Sequence, residues 1–145
     1  MKVPAPSPGM VVSYSYLWAD EAEKGIEEGR KNRPCALILA LERGDGRIQA
    51  VALPITHTPP AQPGAAYALP PLVKRHLGLD DAQSWVVLNE ANSFIWPGPD
   101  LAPTTGGATG TCVYGLLPRG KFMAIRERFF ALEAAHRTRR IQRTE

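Results

Sequence analysis

The chain of 145 residues is long enough for one domain with a hydrophobic core of its own. Hydrophobic residues make up 44% and charged residues 21%, which is typical of a globular protein and excludes a largely disordered one. No apolar run approaches the roughly 20 residues that a membrane helix needs, and the first residues lack the apolar stretch of a signal peptide. We therefore expect a cytoplasmic protein that makes no membrane contact.

The net charge of +3 is small, but the positive charge is concentrated toward the C-terminal end. Residues 119–145 hold eight basic and three acidic side chains. Two interpretations fit this distribution: a solvated helix face followed by a tail, or a surface that attracts a polyanion. The two cysteines, Cys35 and Cys112, lie in strand-like segments with no partner at metal-binding spacing, which favours buried thiols.

The first half of the chain predicts three strands, two of which form a tight hairpin. Residues 9–18 alternate apolar and small polar side chains, the period-two pattern of a half-buried strand. The acidic residues 19–32 predict an exposed loop with one helical turn. Residues 34–42 are a continuous apolar run that begins at a proline, and residues 48–55 form the second arm after the turn sequence RGDGR.

The second half of the chain predicts shorter strands and a long helix. Residues 66–69 are a candidate short strand, residues 84–91 are predicted to form a strand, and residues 94–96 and 111–117 are two further candidates, which gives five or six strands in all. Between the first two, prolines open and Gly78 closes a segment of one or two helical turns. From Pro118 onward, apolar residues recur at spacings of three and four, which predicts a helix that packs on the sheet. These apolar residues are Phe122, Ile125, Phe129 and Leu132.

Five or six short strands followed by one substantial helix predict a small α+β domain. We expect a strongly curved antiparallel β-sheet or a partly open barrel, with an α-helix at the C-terminal end. The sequence contains no internal repeat and no low-complexity linker, so residues 1–145 are predicted to be one domain. Residues 1–8 and 137–145 are expected to be flexible tails.

Motifs of several enzyme classes are missing. There is no glycine-rich phosphate loop, no HExxH, no GxSxG and no CxxC, which disfavours nucleotide-dependent and zinc chemistry. Polar residues instead cluster at the ends of the predicted hairpin, where Arg33 enters the first strand and Thr56 and His57 leave the second. In a hairpin with arms of nearly equal length, these two ends are adjacent, so Arg33 and Thr56 are expected to lie close together.

The order of several segments resembles the MazF/PemK family of toxin endoribonucleases. The segments are GMVV, KNRPCALIL, LPIT, GLDDAQSWVVLNEANSFI and a terminal amphipathic helix, which together run from about Gly9 to Leu132. The most specific pieces are a basic-x-Arg-Pro motif before an apolar strand and Pro-Ile-Thr at the end of the next strand. The resemblance implies an SH3-like barrel of the MazF/CcdB type, with catalysis carried by Arg33 and Thr56. It also implies a homodimer that cuts single-stranded RNA without metal or cofactor and is neutralised by a cognate antitoxin protein.

The residue types suit this chemistry on independent grounds. RNA can be cleaved by its own 2′-hydroxyl, so the protein must supply a proton acceptor, a proton donor and stabilisation of the charged phosphorane. The guanidinium of Arg33 offers forked donors that match phosphate oxygens, and Thr56 can hydrogen-bond the phosphate or the attacking hydroxyl. His57 is a candidate proton shuttle. Neighbours on a strand face opposite sides, so His57 joins Thr56 only if the chain already turns there.

Further residues are candidates for contacts with the substrate. Trp18 can stack on a base, with Tyr16 behind it, and Lys31 belongs to the basic motif of Arg33. Glu90 is either a polar site residue or a solvated carboxylate at a strand end. Asn92 lies where members of the family commonly carry an arginine, and this departure puts one phosphate contact in doubt.

Other interpretations of these residues stay open. Thr56 alone is typical of a turn-capping hydroxyl. Arg33 alone is typical of a strand-end residue paired with the preceding acidic loop, where the candidate partners are Glu21, Glu23, Glu27 and Glu28. This loop is longer and more acidic than the resemblance implies, and it could gate the cleft. The alternative function is a non-catalytic member of the same fold, CcdB-like or domesticated, that binds a protein or nucleic acid.

Overall fold

The computed structural model describes residues 1–106 and 110–143, which form one eight-stranded β-sheet with three helices. The strands are β1 (Met10–Tyr14), β2 (Arg33–Glu42), β3 (Ile48–Thr56), β4 (Ala66–Ala68), β5 (Trp85–Val87), β6 (Glu90–Trp96), β7 (Val113–Leu116) and β8 (Arg139–Gln142). The helices are α1 (Ala19–Glu23), α2 (Pro71–His76) and α3 (Arg119–Ala134). All strand pairs are antiparallel except β6 with β8, and the predicted α+β class is confirmed.

The β2–β3 hairpin is the centre of the sheet, as the sequence predicts. Its strands are joined at the RGDGR turn, where the backbone N–H of Arg43 donates to the carbonyl of Arg47 at 2.7 Å. The register places Cys35 opposite Pro54, with one irregularity between Leu37 and Leu39. Because both arms are rich in apolar residues and flank turn residues, this unit can be predicted from local sequence.

Strand β3 has three partners, and this makes the sheet branch. It pairs with β2 along one edge, while its other edge pairs with β6 from Ile48 to Ala52 and with β5 at Ile55 and Thr56. The main path runs β4-β5-β3-β2-β1-β7, and β8 adds to the outer side of β6. Because the terminal strands of this path, β4 and β7, do not pair with each other, the described sheet is not closed and a barrel is not confirmed.

Two hydrophobic clusters cover the two faces of the central strands. One contains Val11 and Leu53 with Ile125 and Phe129 of α3, and the other contains Val12 together with aromatic residues of β1 and β6. Ile125 and Phe129 are fully buried, which confirms the predicted docking of this helix on the sheet. Strand β1 is buried on both faces, although its alternating pattern predicts a half-buried strand, because Val12 and Tyr14 lie in one cluster while Val11 lies in the other, with α3.

The cysteines are free thiols and both are buried, as the sequence predicts. Burial raises the pKa of the Cys35 thiol well above its ordinary value, which makes a nucleophilic role for it unfavourable. Within residues 1–106 and 110–143, no helix is long and apolar enough to cross a membrane.

Several boundaries differ from the prediction. The segment 84–91 divides into β5 and the beginning of β6, and β6 continues through Trp96. Residues 139–142, expected in a flexible tail, form β8, while residues 144–145 and 107–109 lie outside the described residues. The other expected tail also makes contacts: the Trp96 indole N–H donates to the Pro4 carbonyl at 3.0 Å. These contacts join positions far apart in sequence, which hydrophobic periodicity does not reveal.

Candidate active site

A cleft of about 890 Å³ lies at the open end of the β2–β3 hairpin, and the three predicted catalytic residues line it. The register explains why. Cys35 pairs with Pro54, so two positions further toward this end the register places Arg33 of β2 beside Thr56 of β3. His57 follows directly at the rim. The hairpin therefore brings a guanidinium, a hydroxyl and an imidazole to one cleft.

Arg33 has no acidic partner among the described residues. Its guanidinium carbon lies 4.9 Å from the centroid of the Trp18 ring, and its Nε is buried without a hydrogen-bond acceptor in this part of the chain. Two of the four acidic loop residues that could have paired with it are bound elsewhere, Glu21 to Arg30 at 3.0 Å and Glu23 to Arg139, and neither Glu27 nor Glu28 pairs with it in the described residues. A buried donor without a partner is rare in proteins, and no described residue forms an ion pair with this guanidinium, so its charge is available to an anion in the cleft.

The chain turns at Thr56, and this satisfies the condition for His57 to share the site. The backbone N–H of Thr58 donates to Thr56 Oγ1 at 3.2 Å, a local turn stabilised by the threonine hydroxyl. Strand alternation ends at this turn, so Thr56 and His57 line the same cleft. The His57 imidazole is exposed and its Nε2 lies 2.9 Å from Asp80 Oδ2.

A buried lysine network forms one wall of the cleft, and sequence analysis missed it. Lys74 lies on α2 and is only 4% exposed. Its Nζ donates to Asp80 Oδ1 at 2.6 Å, to Ser84 Oγ at 2.7 Å and to the Ala82 carbonyl. The hydrogen bond from Lys74 holds the pKa of Asp80 below its ordinary value. The sequence does carry a weak signal, because Lys74 is three residues before the apolar Leu77, a spacing that brings two side chains to the same side of a helical turn.

Trp18 and Lys31, two of the predicted substrate contacts, also line the cleft. Tyr16 is buried behind Trp18, with the two rings edge to face and their centroids 5.1 Å apart. A smaller cavity of about 340 Å³ lies beside this aromatic pair. It is lined by Tyr16, Trp18, Glu21, Arg30, Lys31 and Arg33. Trp18 therefore separates two cavities and supports the Arg33 guanidinium on its ring face.

Glu90 and Asn92 lie outside the cleft and bind the chain itself. Asn92 is fully buried, and its side-chain amide accepts from the Leu17 N–H at 2.9 Å and donates to the Leu17 carbonyl at 2.8 Å. Glu90 Oε1 accepts from the Tyr16 hydroxyl at 3.0 Å and from the Ala19 N–H at 2.9 Å. In place of the predicted substrate contacts, these two residues hold the segment that carries Trp18.

An arginine does lie beside Asn92, but it comes from a distant part of the chain. Arg143 Nη1 is 3.1 Å from Asn92 Oδ1 and 2.7 Å from the Ser15 carbonyl. Its Nη2 forms an ion pair with Asp100 at 3.0 Å. The side chain is only 2% exposed and its donors are engaged by the protein, so Arg143 stabilises the fold and does not line the cleft.

The charges around the cleft favour an anionic ligand. The basic groups that line it are Lys31, Arg33 and Lys74, and the one carboxylate among its described lining residues is Asp80. Among residues 1–106 and 110–143, no three His, Cys, Asp or Glu side chains are grouped as metal ligands would be. Comparison with known protein families finds no match for the chain, and comparison with curated proteins finds none. Function is therefore argued from the chemistry of the site.

Proposed function

We propose that this protein is an endoribonuclease that cleaves single-stranded RNA through its own 2′-hydroxyl, without a metal ion. One observation carries the proposal. The guanidinium of Arg33, which has no acidic partner in the described residues, lies in the same cleft as the Thr56 hydroxyl and the His57 imidazole. These are the groups that such a reaction needs, and a guanidinium without a carboxylate partner keeps its charge and its forked donors for a phosphate.

The proposed step balances without a co-reactant. The ribose 2′-oxygen gives up its proton and attacks the adjacent phosphorus. The bond from phosphorus to the 5′-oxygen breaks and that oxygen takes a proton, so that one of the two proton transfers involves His57 and the other involves solvent water. The products are a 2′,3′-cyclic phosphate and a 5′-hydroxyl. Arg33 stabilises the charge that develops on the phosphorane oxygens, and Thr56 hydrogen-bonds the phosphate. His57 accepts or donates the proton.

The walls of the cleft suit an unpaired RNA strand. An indole face can stack on an exposed base regardless of its identity, and Trp18 stands next to the proposed phosphate position at Arg33. Lys31 adds a second cation on the same side. A duplex would keep its bases stacked and inaccessible to Trp18, so we propose single-stranded RNA as the substrate.

The resemblance to MazF/PemK toxins supports a biological role. We propose that the protein is the toxin of a toxin-antitoxin pair that acts as a homodimer in the cytoplasm and is neutralised by an antitoxin protein. The strongly curved barrel of that family is part of the same proposal. It is supported by the branching of the sheet at β3, which has β5 and β6 on one edge.

The test is cleavage of a mixed-sequence single-stranded RNA by purified protein in excess chelator. Arg33→Ala and Thr56→Ala should each lower the rate by about 10²- to 10⁴-fold, because each removes a group that acts on the reacting phosphate. Arg43→Ala is the matched control. It removes the same charge from the turn at the other end of the hairpin and should leave the rate within about twofold of wild type.

Two observations decide between a nuclease and a non-catalytic binding protein: the end groups of the RNA products, and whether wild-type protein cleaves the RNA at all. A 2′,3′-cyclic phosphate on the product identifies attack by the 2′-hydroxyl. If folded wild-type protein, freed from any bound partner, leaves the RNA intact, the nuclease proposal is wrong. The result would then favour a non-catalytic binding protein of the same fold.

A further inference from the structure

The imidazole of His57 is held by a carboxylate that is itself held by a buried ammonium group. Asp80 Oδ2 lies 2.9 Å from His57 Nε2, and Asp80 Oδ1 lies 2.6 Å from Lys74 Nζ. Asp80 Oδ1 also accepts from the Ala82 N–H at 3.2 Å. Lys74, Asp80 and His57 thus form a continuous line of hydrogen bonds that ends in the cleft beside Thr56.

The His57–Asp80 pair differs from an ordinary surface ion pair, because a buried lysine holds its carboxylate in place. The side chains of His57 and Asp80 are 60% and 54% exposed, and a pair with such exposure contributes little to stability. The side chain of Lys74 is only 5% exposed, and burying an ammonium group is costly unless its donors are satisfied. Here Asp80, Ser84 and the Ala82 carbonyl satisfy them, which fixes the position of the carboxylate.

The carboxylate also selects which ring nitrogen of His57 is free. The hydrogen bond from Lys74 lowers the pKa of Asp80, so the carboxylate is ionised near neutral pH and can only accept a hydrogen bond. His57 Nε2 must therefore be the protonated nitrogen that donates to it. Nδ1 has no hydrogen-bond partner in residues 1–106 and 110–143, so it is the nitrogen left for the substrate.

We infer that Asp80 is a positioning residue, which holds His57 in the tautomer with Nδ1 free to take the proton of the 2′-hydroxyl, while Lys74 anchors Asp80. This inference rests on the proposed nuclease function. It assigns His57 as the proton acceptor and separates its role from that of Arg33, which holds the phosphate. Carboxylates that orient a histidine in this way act through the ring and make no contact with substrate.

The first test measures kinetics. Asp80→Asn should lower kcat by about 10- to 100-fold and leave KM within about twofold, because the ring is misoriented but the phosphate contacts remain. Asp81→Asn is the matched control, since it removes the same charge one residue along the chain and Asp81 does not line the cleft. Asp80→Glu, which keeps the carboxylate, should recover part of kcat.

A double variant shows whether Asp80 acts through His57. In a His57→Ala background, Asp80→Asn should cause no further loss of kcat, since the ring that it orients is already absent. If the two losses multiply fully in the double variant, Asp80 acts independently of His57 and the inference is overturned.

The ring itself can be observed without RNA. Nitrogen NMR of the free wild-type protein above the titration range of the ring should show His57 protonated at Nε2, and Asp80→Asn should shift it toward a mixture of tautomers. A wild-type ring protonated mainly at Nδ1, or a ring unchanged by Asp80→Asn, overturns the inference even if RNA is cleaved. Failure of wild-type protein to cleave RNA overturns the nuclease proposal, whereas the NMR result still decides whether Asp80 orients the ring.

Discussion

Glu90 is a partly buried carboxylate that makes the segment carrying Trp18 sensitive to pH. It accepts hydrogen bonds from Tyr16 and Ala19, the residues that flank the turn bearing Trp18. Burial raises the pKa of Glu90 above its ordinary value, although these two hydrogen bonds oppose the shift. The ionised form is therefore less favourable in the folded protein than in the unfolded chain.

The sign of this shift predicts how stability depends on pH. The folded-state pKa is raised, so the contribution of Glu90 is fully present below its ordinary value of 4.5 and is lost as pH rises through the folded-state pKa. Glu90→Gln does not titrate at this position. The free energy of unfolding of wild type, relative to Glu90→Gln, should therefore decrease as pH rises from about 4 to about 7.

Urea unfolding of both proteins across this pH range measures the difference directly. Groups other than Glu90 titrate in both proteins and cancel in the comparison. A difference that stays constant, or one that increases in favour of wild type with pH, would contradict the assigned effect of burial.

At the scale of elements, strand β8 and the arginine after it bind the chain on both sides of Trp18. The strand pairs in parallel with β6 and carries Arg139 at its start, which binds Asp20 and Glu23 of helix α1. Arg143, directly after the strand, binds the Ser15 carbonyl on the other side of Trp18. The acidic helix is thereby neutralised by β8, and none of its side chains lines the main cleft.

Arg143→Met should be strongly destabilising. The substitution removes a guanidinium that is almost fully buried and leaves Asp100 and the Ser15 carbonyl without their donor. We expect the free energy of unfolding to fall by about 3–5 kcal/mol, the usual cost of breaking a buried ion pair from one side. Arg137→Met is the control at an exposed arginine and should change it by less than about 0.5 kcal/mol. Equal effects of the two substitutions would contradict the structural role of Arg143.

The parts of the fold that sequence predicts are those with local signals. The β2–β3 hairpin follows from two apolar runs around turn residues, and the adjacency of Arg33 and Thr56 follows from its register. Helix α3 follows from apolar spacing of three and four. Strand β8 was missed because its sequence RRIQ has a single apolar residue. Its position depends on side-chain ion pairs, which carry no period along the chain.

The residues of the candidate site also fall into those that local sequence predicts and those that it does not. Residues close in sequence to the hairpin ends are predicted from the sequence, whereas the Lys74–Asp80 pair has no sequence motif and depends on how the segment after α2 folds back onto Lys74. Glu90 and Asn92 are candidate substrate contacts in the sequence, but only the structure shows that they hold Tyr16 and Leu17, more than 70 residues away in sequence. Polar residues that position a site and those that contact its ligand have the same sequence signature.

At the scale of the whole molecule, the proposed RNA-binding surface is a cationic cleft in a protein of small net charge. Lys31 and Arg33 are on its rim, while the acidic groups of α1 are paired elsewhere. Attraction of RNA should therefore arise from a few specific contacts with phosphates and not from the overall charge of +3.

Salt dependence of binding tests this expectation. Binding of a 2′-O-methyl RNA oligonucleotide, which cannot be cleaved by 2′-hydroxyl attack, should weaken linearly in a plot of log affinity against log salt. Lys31→Ala should reduce the steepness of that line by about 0.7, the value for one phosphate contact with a single strand. Arg43→Ala, at the far end of the hairpin, should leave the slope unchanged. A slope that both variants reduce equally would indicate nonspecific attraction by net charge.

The contact between Arg143 and Tyr14 joins residues 129 positions apart, and Leu17 meets Asn92 across 75 positions. Closing such long loops is entropically costly, and chains rich in distant contacts fold slowly, on timescales of about milliseconds to seconds. Trp18 lies in the segment that these contacts hold, so the wall of the cleft that supports Arg33 depends on contacts between distant parts of the chain. On the proposed nuclease function, a chain in which these distant contacts are open would lack the Trp18 wall of the cleft and would not cleave RNA.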